Sequence, residues 1–307
     1  MHLRLFFILY WFSVLAVSCA FCKNLNARFL FAFGEKGDRP GQFFRPLGVS
    51  SDANGNIYVT DSGNNRLQKF SPHGELISFI GGFGWEKEQF QSPIDIFVYN
   101  SLDIYIADYD NNRIERYDKD LNWLASYYSN ENWNPKYQFQ FPQSVCISLH
   151  GEFFIVDSEN DRIIKLNASF EPELSFADYD WGQGVLEEAS HIYVSKNDNV
   201  YVTDSYAHKI LVYDYYGNYL FDIGADVLVS PRGLCVDERE NVFVADAKKN
   251  KILCFDNKGR QILDIGSLST KLAGFYEPND VTVNRNKLYV ADTQNHRIQI
   301  FELEWEK

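Results

Sequence analysis

The sequence predicts an all-β protein, a six-bladed β-propeller of four-stranded antiparallel blades. Three observations predict this fold. One short motif recurs six times along the chain, at intervals of 42 to 49 residues. Apolar residues alternate with a period close to two, and turn residues interrupt them every eight to ten positions. Aromatic residues, which favour half-buried pleated surfaces, make up 16% of the chain.

The first 22 residues stand apart from this pattern. Arg4 is their only formal charge, an apolar run covers residues 5–17, and small residues follow up to Ala20. This order is typical of a secretory signal peptide, here residues 1–22, cleaved near Ala20. The run is short for a membrane-spanning helix, which needs about 20 apolar residues. We therefore expect an exported protein that is periplasmic, cell-surface or extracellular.

Two alternatives for this segment stay open. A retained signal anchor would keep the protein attached to the membrane. Residues 16–19 also resemble the lipid-attachment site of bacterial lipoproteins, although Ala16 stands where that site usually has Leu, so Cys19 is a candidate for lipidation. Apart from such an N-terminal lipid or an uncleaved signal, we expect no contact with a membrane.

The first repeat shows the four strands that we expect in each blade. Its strands are predicted near 47–51, 56–60, 65–70 and 75–80, with strong turn signals at 52–55 and 71–74. Helical periodicity is absent beyond the N-terminal segment. The pattern of the repeat therefore predicts one small antiparallel sheet.

Each repeat contains an Asp, an Arg or Lys five positions later, and then an aliphatic residue, a combination that we call the anchor. The six anchors are Asp61/Arg66/Leu67, Asp108/Arg113/Ile114, Asp157/Arg162/Ile163, Asp204/Lys209/Ile210, Asp246/Lys251/Ile252 and Asp292/Arg297/Ile298. Because a group needed in every blade serves the scaffold, we expect the Asp to accept backbone N–H bonds in the turn between the second and third strands and the basic residue to pair with it. A second repeated position should pack between blades: Phe43, Phe90, Phe139, Leu186, Leu228 and Phe275.

The ring is expected to close through the N-terminal strand. The sixth anchor is followed by a single strand at 297–303, so the last blade lacks its outer strand. Residues 27–34 resemble 75–81, the outer strand of the first blade. We predict that this N-terminal strand completes the last blade, so that one propeller domain covers residues 27–303.

The charge balance argues against some classes of partner. The chain of 307 residues has a formal net charge of −13, and its basic residues form no cluster. Nucleic acids and anionic membrane surfaces require basic patches, so we expect neither as a partner. Three cysteines follow the N-terminal segment at unrelated spacings, and we expect them to be buried free thiols: Cys146, Cys235 and Cys254.

The repeats resemble those of the NHL family. The resemblance rests on Pro-x-Gly-Val at 46–49, Tyr-Val-x-Asp at 58–61 and Asn-x-Arg-Leu at 64–67, and it covers roughly residues 27–303. It implies the propeller fold. It implies no single function, because NHL propellers include protein-binding and RNA-binding modules, extracellular sensor domains and one amidating lyase.

Positions at which the repeats differ are candidates for function. The Gly position of Pro-x-Gly-Val opens the strand that lines the central channel, and in blade order it holds Gly48, Asp95, Ser144, His191, Gly233 and Asp280. Asp95, His191 and Asp280 would lie at thirds around the channel, where they would suit zinc, calcium or another divalent cation. The lyase that the repeats resemble uses three histidines for its channel metal, and two of these would be Asp here. Two other interpretations stay open, a water-lined channel and Asp residues that cap backbone N–H groups.

The connections between blades are a second candidate site. The fourth strand of each blade should end on the face where the first strand begins and the anchor turns lie, which we call the loop-rich face. Aromatic residues interleaved with acids and amides occur in these connections: Trp85, Trp133, Tyr137, Trp181 and Tyr276. Aromatics on the loops of a rigid scaffold are typical of surfaces that bind a protein, peptide or glycan. Alternatively, the same rings fold back and fill the hub.

These patterns favour an exported, non-enzymatic binding propeller that recognises a protein, peptide or glycan on its loop-rich face and needs no cofactor. The alternative is a metal-dependent lyase or hydrolase at the channel mouth. The sequence contains no G-x-S-x-G elbow, no H-E-x-x-H motif and no phosphate-binding glycine loop.

Overall fold

The structure, a computed structural model, describes residues 25–100 and 102–305. The predicted signal segment, including Cys19, lies outside the described residues, and so does the side chain of Trp181. No helix within the described ranges is long and apolar enough to cross a membrane.

Six sheets, each of four antiparallel strands, surround a central hub. The first strands of neighbouring blades contact each other around that hub. Blade 1 consists of β2 (Pro46–Ser51), β3 (Ile57–Asp61), β4 (Arg66–Phe70) and β5 (Leu76–Gly81). Blade 2 consists of β6 (Pro93–Tyr99), β7 (Asp103–Asp108), β8 (Arg113–Asp118) and β9 (Trp123–Tyr128). Blade 3 consists of β10 (Pro142–Ile147), β11 (Phe153–Asp157), β12 (Arg162–Leu166) and β13 (Pro172–Phe176). Blade 4 consists of β14 (Ala189–Val194), β15 (Val200–Asp204), β16 (Lys209–Tyr213) and β17 (Tyr219–Ile223). Blade 5 consists of β18 (Pro231–Val236), β19 (Val242–Asp246), β20 (Lys251–Phe255) and β21 (Gln261–Ile265).

Blade 6 combines strands from two distant parts of the chain. It consists of β22 (Asp280–Asn284), β23 (Lys287–Asp292), β24 (Arg297–Trp305) and the outer strand β1 (Leu25–Phe33). β1 pairs antiparallel with β24, with Phe29 opposite Phe301 and Phe33 opposite Ile298. The six-bladed fold and its closure by the N-terminal strand are confirmed.

Among the described residues, short 3₁₀ helices occur only on the loop-rich face. Three of them directly follow an anchor Asp: Ser62–Asn64, Tyr109–Asn111 and Thr293–Asn295. Two lie in connections between blades: Pro135–Tyr137 and Tyr179–Trp181. After each of the first three, a residue with positive φ turns the chain into the third strand, namely Asn65 (52°), Asn112 (53°) and His296 (55°). Asn and His adopt this left-handed conformation more readily than most residues.

Large side chains fill the spaces between blades. All six residues at the repeated position represented by Phe43 are buried, as predicted. The Phe43 ring centroid lies 5.5 Å from that of Phe70 in blade 1 and 6.2 Å from that of Phe33 in blade 6. Burial of such a side chain contributes roughly 1.5–3 kcal/mol, so side-chain packing joins the blades. Cys146, Cys235 and Cys254 are buried free thiols, which confirms that prediction.

The anchors hold the connections between blades. Four anchors form the expected pair, with Nε and Oδ2 at 2.7 or 2.8 Å: Arg66–Asp61, Arg113–Asp108, Arg162–Asp157 and Arg297–Asp292. In blade 1, Asp61 Oδ1 accepts the N–H of Phe44, just before β2, at 2.7 Å. The Arg66 guanidinium donates to backbone carbonyls at 38, 39 and 42. The backbone N–H that these Asp residues accept comes from the incoming connection, which corrects our expectation. The turn between the second and third strands is bound to the same Asp through an Asn side chain, for example Asn64 to Asp61 Oδ2 at 2.8 Å.

The pairing prediction was wrong for the two blades that have Lys. There the ammonium pairs at 2.8 Å with an Asp of the outer strand: Lys209–Asp222 and Lys251–Asp264. The anchor Asp of these blades accepts N–H bonds from its own turn, as expected, for example from Ala207 to Asp204 Oδ1 at 2.8 Å. It also accepts N–H bonds from the incoming connection, for example from Glu187 to Asp204 Oδ2 at 2.7 Å. A guanidinium can bridge a carboxylate and several carbonyls, whereas a Lys ammonium is a single point of charge.

Candidate functional site

Three ionisable side chains from alternate blades meet in the hub. Asp95 lies on β6, His191 on β14 and Asp280 at the start of β22. Nε2 of His191 lies 3.2 Å from Oδ1 of Asp95 and 3.8 Å from Oδ1 of Asp280. The carboxylate side chains are 5% exposed and the imidazole 14%. We call these three residues the hub triad.

The hub triad completes a ring of backbone hydrogen bonds. The N–H group that follows the hub position bonds to a side chain of the preceding blade in four cases: Val145 to Asp95 Oδ2 (3.0 Å), Ile192 to Ser144 Oγ (3.2 Å), Leu234 to His191 Nδ1 (3.4 Å) and Val49 to Asp280 Oδ2 (2.8 Å). Blades 1 and 5 have glycine at the hub position and supply no such acceptor. In the blades that follow them, the N–H groups of Ile96 and Val281 bond at 2.7 Å to Oδ1 of the Asp in their own blade.

This pattern explains why Asp follows each glycine. An Asp side chain has two acceptor oxygens, so one caps its own blade and the other caps the next. Asp95 and Asp280 thus cap backbone N–H groups, which was one of the alternatives. The same bonds orient the two carboxylates towards His191.

Small residues in the other three blades make room for the hub triad. A Cβ atom on Gly233 would lie 2.0 Å from Oδ1 of Asp280, far inside contact distance. A Cβ atom on Gly48 would lie 3.1 Å from the backbone nitrogen of Ile96. Ser144 is small enough to fit, and its hydroxyl donates to Asp95 at 2.6 Å. Large polar and small residues thus alternate around the hub.

Burial and proximity shift the pKa values of the hub triad in different directions. For Asp95, burial raises the pKa, but the charge of His191 and the bonds from His191, Ser144 and Val145 outweigh it, so the net pKa is lowered. For His191, burial lowers the pKa, but Asp95 and Asp280 outweigh it and the net pKa is raised. For Asp280, burial dominates and raises the pKa to about 7. The pKa of each member of the hub triad thus depends on the charge of the other two.

The hydrogen bonds of His191 bear on whether this donor set could hold a metal ion. Nδ1 of His191 accepts the N–H of Leu234, so the proton of the neutral ring is on Nε2, the atom that faces both carboxylates. A metal-bound histidine presents a bare nitrogen to the ion and donates its other N–H to an oxygen. Here the other nitrogen faces a donor. Metal binding at Nε2 would therefore require the His191 proton to leave that atom.

The hub triad lies inside the hub rather than at its mouth. A cavity of about 40 Å³ separates it from the loop-rich face and is lined by residues including Leu47, Ile94 and Arg232. A cavity of about 130 Å³ lies on the other side. That cavity is narrowed by Phe97 and Tyr193, whose ring centroids are 6.3 Å apart. This placement corrects the expectation that the three residues lie at the channel mouth.

The predicted aromatic residues are separated on the loop-rich face. Trp85 is 70% exposed in the connection that enters blade 2, and Tyr276 is 41% exposed in the one that enters blade 6. Trp133 is half-buried, with its ring centroid 5.8 Å from that of Phe170, and Tyr137 is half-buried near Lys136. The four described rings do not line the hub cavities. Trp85 and Tyr276 are the accessible members.

A groove between blades 1 and 2 contains residues that the sequence interpretation missed. Its volume is about 500 Å³, and its lining includes Leu47, Ile94, Phe83, Tyr109, Arg45 and Asp110. We call it the blade 1–2 groove. Leu47 and Ile94 also line the 40 Å³ cavity, so the groove reaches the hub mouth. Tyr109 follows an anchor Asp, where the other blades have Ser, Ala or Thr. That difference was the available signal.

Comparison with known proteins matches two of the repeats to a family model. Two segments, 43–70 and 275–301, match the family model described as NHL repeat. The resemblance to NHL repeats is therefore confirmed. E3 ubiquitin-protein ligase TRIM71 of Rattus norvegicus is 47% identical over 47 residues, which are 15% of this chain and 6% of the ligase. The chain thus matches only a small part of that relative.

Solved structures share the whole propeller. A structural genomics protein of unknown function from Bacteroides thetaiotaomicron has a TM-score of 0.71 and 15% identity, over 91% of this chain and 76% of that one. Virginiamycin B lyase from Staphylococcus aureus has a TM-score of 0.60 and 12% identity, over 91% of this chain and 99% of the lyase. At such low identity these similarities show the fold alone.

Proposed function

We propose that this chain, a six-bladed β-propeller with NHL repeats, is an exported binding protein that holds a protein or peptide segment on its loop-rich face. The blade 1–2 groove carries the proposal. Its volume of about 500 Å³ lies within the range of about 300–1,000 Å³ that is typical of ligand sites. Export rests on the composition of residues 1–22, as predicted from the sequence.

The lining of the groove suits an extended peptide. Leu47 and Ile94 are apolar, and Phe83, 68% exposed, adds an aromatic ring that a partner can cover. Arg45 and Asp110 offer opposite charges in the same groove. Protein interfaces combine aromatic residues that become buried on binding with charged residues at the rim. Trp85, in the same connection as Phe83, extends the accessible aromatic surface.

A binding screen on the full chain tests this proposal. The probes are an array of extended peptides and an array of glycans, since a glycan would stack on the same rings. We expect peptide binding, and we expect the double variant Phe83→Ala, Trp85→Ala to weaken it by more than about tenfold. The matched control is Tyr216→Ala, which removes a 73% exposed ring from a turn on the opposite face. Peptide affinities that stay unchanged in the double variant would remove the proposal, and binding of glycans alone would replace its partner class.

A metal-dependent lyase or hydrolase in the channel is the second candidate function. The observation in its favour is that one ligand-type atom from each of Asp95, His191 and Asp280 lies within 4.8 Å of the others. It requires the His191 proton to move from Nε2 to Nδ1, against the N–H of Leu234. Elemental analysis of the purified full chain tests it. One tightly held divalent ion per chain, lost in His191→Gln, would support the enzyme, and a metal-free protein whose stability does not respond to zinc or calcium would exclude it.

A further inference from the structure

The connection at 82–92 forms one side of the blade 1–2 groove. It joins β5 to β6 and carries Phe83 and Trp85, both largely exposed. Arg113 holds it by donating to the carbonyls of Trp85 and Gln89 at 2.9 and 2.7 Å. The position of the two aromatic rings therefore depends on how firmly this connection is fixed.

The corresponding connections of blades 1 and 6 have a second fastening, a buried glutamine. In blade 1, Gln68 Nε2 donates to the carbonyl of Gln42 at 2.8 Å and to Asp61, and its Oε1 accepts the N–H of Gly41 at 2.8 Å. In blade 6, Gln299 makes the same three bonds, to Gly274, Asp292 and Ala273, at 2.7–2.9 Å. Each amide thus bridges the anchor Asp and the connection, as a donor on one side and an acceptor on the other.

Blade 2 has Glu115 at the glutamine position, two residues after the anchor Arg113. Its side chain is fully buried and contacts Arg113 at 2.7 Å. The carboxylate accepts from Trp123 Nε1 at 3.0 Å and from the Ser126 hydroxyl at 2.9 Å. Among the described residues it makes no hydrogen bond to the connection at 82–92. The glutamine fastening is therefore absent in the arrangement that the structure shows.

Glu and Gln differ at this position in the number of hydrogen-bond donors that they supply. An ionised carboxylate only accepts hydrogen bonds, so it cannot donate to the carbonyl of Gln89 or to Asp108 as an amide does. A protonated carboxyl has one O–H donor, which can bond to the carbonyl of Gln89, and one acceptor oxygen for a backbone N–H, so it can make two of the three bonds that Gln68 and Gln299 make. One proton on Glu115 is therefore enough to fasten its side chain to the connection, without the second donated bond to the anchor Asp.

We propose that Glu115 is a proton-dependent clamp on the connection at 82–92, which holds Phe83 and Trp85 in place when protonated and releases them when ionised. The clamp regulates the groove that the proposed function uses. A connection already fixed in its bound conformation loses less entropy on binding, so a partner would bind more tightly with the clamp closed. This effect on affinity rests on the proposed function. The effect of the clamp on the connection itself does not depend on the proposed function.

The surroundings of Glu115 place its titration near neutral pH. Burial raises the pKa of its carboxyl to about 7, and Arg113 and the donors Ser126 and Trp123 only partly oppose that rise. The charged groups that act on Glu115 are Arg113 and Asp108, and Tyr117 lies within reach of its charge. In the connection itself, Lys87 lies over the ring of Trp123 and Glu88 acts on Tyr117. Between pH 6 and pH 8 the protonated fraction falls from about nine tenths to about one tenth.

Amide hydrogen exchange of the full chain tests the clamp without any partner. Exchange in 82–92 is measured at pH 6 and pH 8 and divided by the intrinsic rate at each pH. We expect protection of this connection to fall by about tenfold from pH 6 to pH 8 in the wild type, because the clamped fraction falls by that factor. In Glu115→Gln we expect protection that does not change with pH, since the amide stays a donor.

Gln68→Glu is the matched reverse variant. It should transfer the same pH dependence to the connection at 34–45, which in the wild type is held by Gln68 at every pH. Protection of 82–92 that is equal at both pH values in the wild type would overturn the proposal, and so would a pH dependence that persists in Glu115→Gln. Failure to find a peptide ligand would affect the proposed function and leave this result intact.

Discussion

Single residues in the hub are selected by the backbone around them. Six N–H groups, one per blade, follow the hub position, and each is bonded to a side chain of its own or the preceding blade. Asp appears where the preceding blade has glycine, because only a side chain with two acceptors can cap two such groups. An unpaired backbone N–H group costs free energy when it is buried. The capping is therefore required for the stability of the hub, whether or not the same side chains have a chemical function.

The hub leaves no room for a larger residue at Gly233. We expect Gly233→Ala to lower the free energy of unfolding by about 1–3 kcal/mol, because its Cβ would lie 2.0 Å from Asp280 Oδ1 and must displace it. Urea denaturation measures the change. Thr282→Ala, which removes atoms from the lining of the 130 Å³ cavity, is the control and should cost less. Equal stability of Gly233→Ala and the wild type would show that the hub can relax.

At the scale of an element, the connections between blades depend on the chemistry of the anchor. The Arg of an anchor pairs with the anchor Asp and holds the incoming connection, whereas the Lys of an anchor pairs with an Asp of the fourth strand. The Asp residues of the Arg anchors are buried, and burial raises their pKa despite the bonds that they accept. The stability of these connections therefore depends on the guanidinium that compensates each buried carboxylate.

Exchange of the two basic residues tests this difference. We expect Arg66→Lys to lower the free energy of unfolding by about 1.5–3 kcal/mol, because Lys cannot keep the bonds to Asp61 and three carbonyls together. Lys209→Arg should change stability by less than about 1 kcal/mol, since the Lys209–Asp222 pair is partly exposed. Thermal and urea unfolding check both. A larger loss in Lys209→Arg than in Arg66→Lys would contradict the assignment.

The features that repeat in every blade could be predicted from the sequence. The features that depend on contacts between two neighbouring blades could not. The strands of blade 1 lie within one residue of their predicted limits, since alternation and turn residues are local signals. The convergence of Asp95, His191 and Asp280 followed from counting back from each anchor. The Leu234 N–H that orients the imidazole, and the groove formed by Arg45 with Tyr109, depend on contacts between neighbouring blades. No spacing in the chain encodes them.

At the scale of the whole molecule, the ring is held closed by a strand from the other end of the described chain. β1 covers the edge of β24, and Phe33 packs with Phe70 of blade 1 at 4.7 Å between ring centroids. Blades 6 and 1 are also joined by the Arg45 N–H, which donates to Nδ1 of His296 at 3.1 Å. Closure thus combines strand pairing, aromatic packing and hydrogen bonds between blades 6 and 1, which include the bond from the Val49 N–H to Asp280.

Removal of the closing strand should open the ring. We expect a chain that begins at residue 35 to unfold at lower urea concentration and to aggregate, because it exposes the edge of β24 and the rings that Phe33 covers. A chain that begins at residue 25 keeps β1 and is the control. Urea denaturation and size-exclusion chromatography report both effects. Cooperative, monomeric folding of the shorter chain would show that closure does not need β1.

The location of the binding surface is the central claim, and hydroxyl-radical footprinting of the full chain with a bound peptide tests it most directly. We expect Phe83, Trp85 and Tyr109 to be protected from oxidation in the complex, while Tyr216 on the opposite face stays as reactive as in the free protein. Protection of Tyr216 with no change at Phe83 and Trp85 would contradict the account.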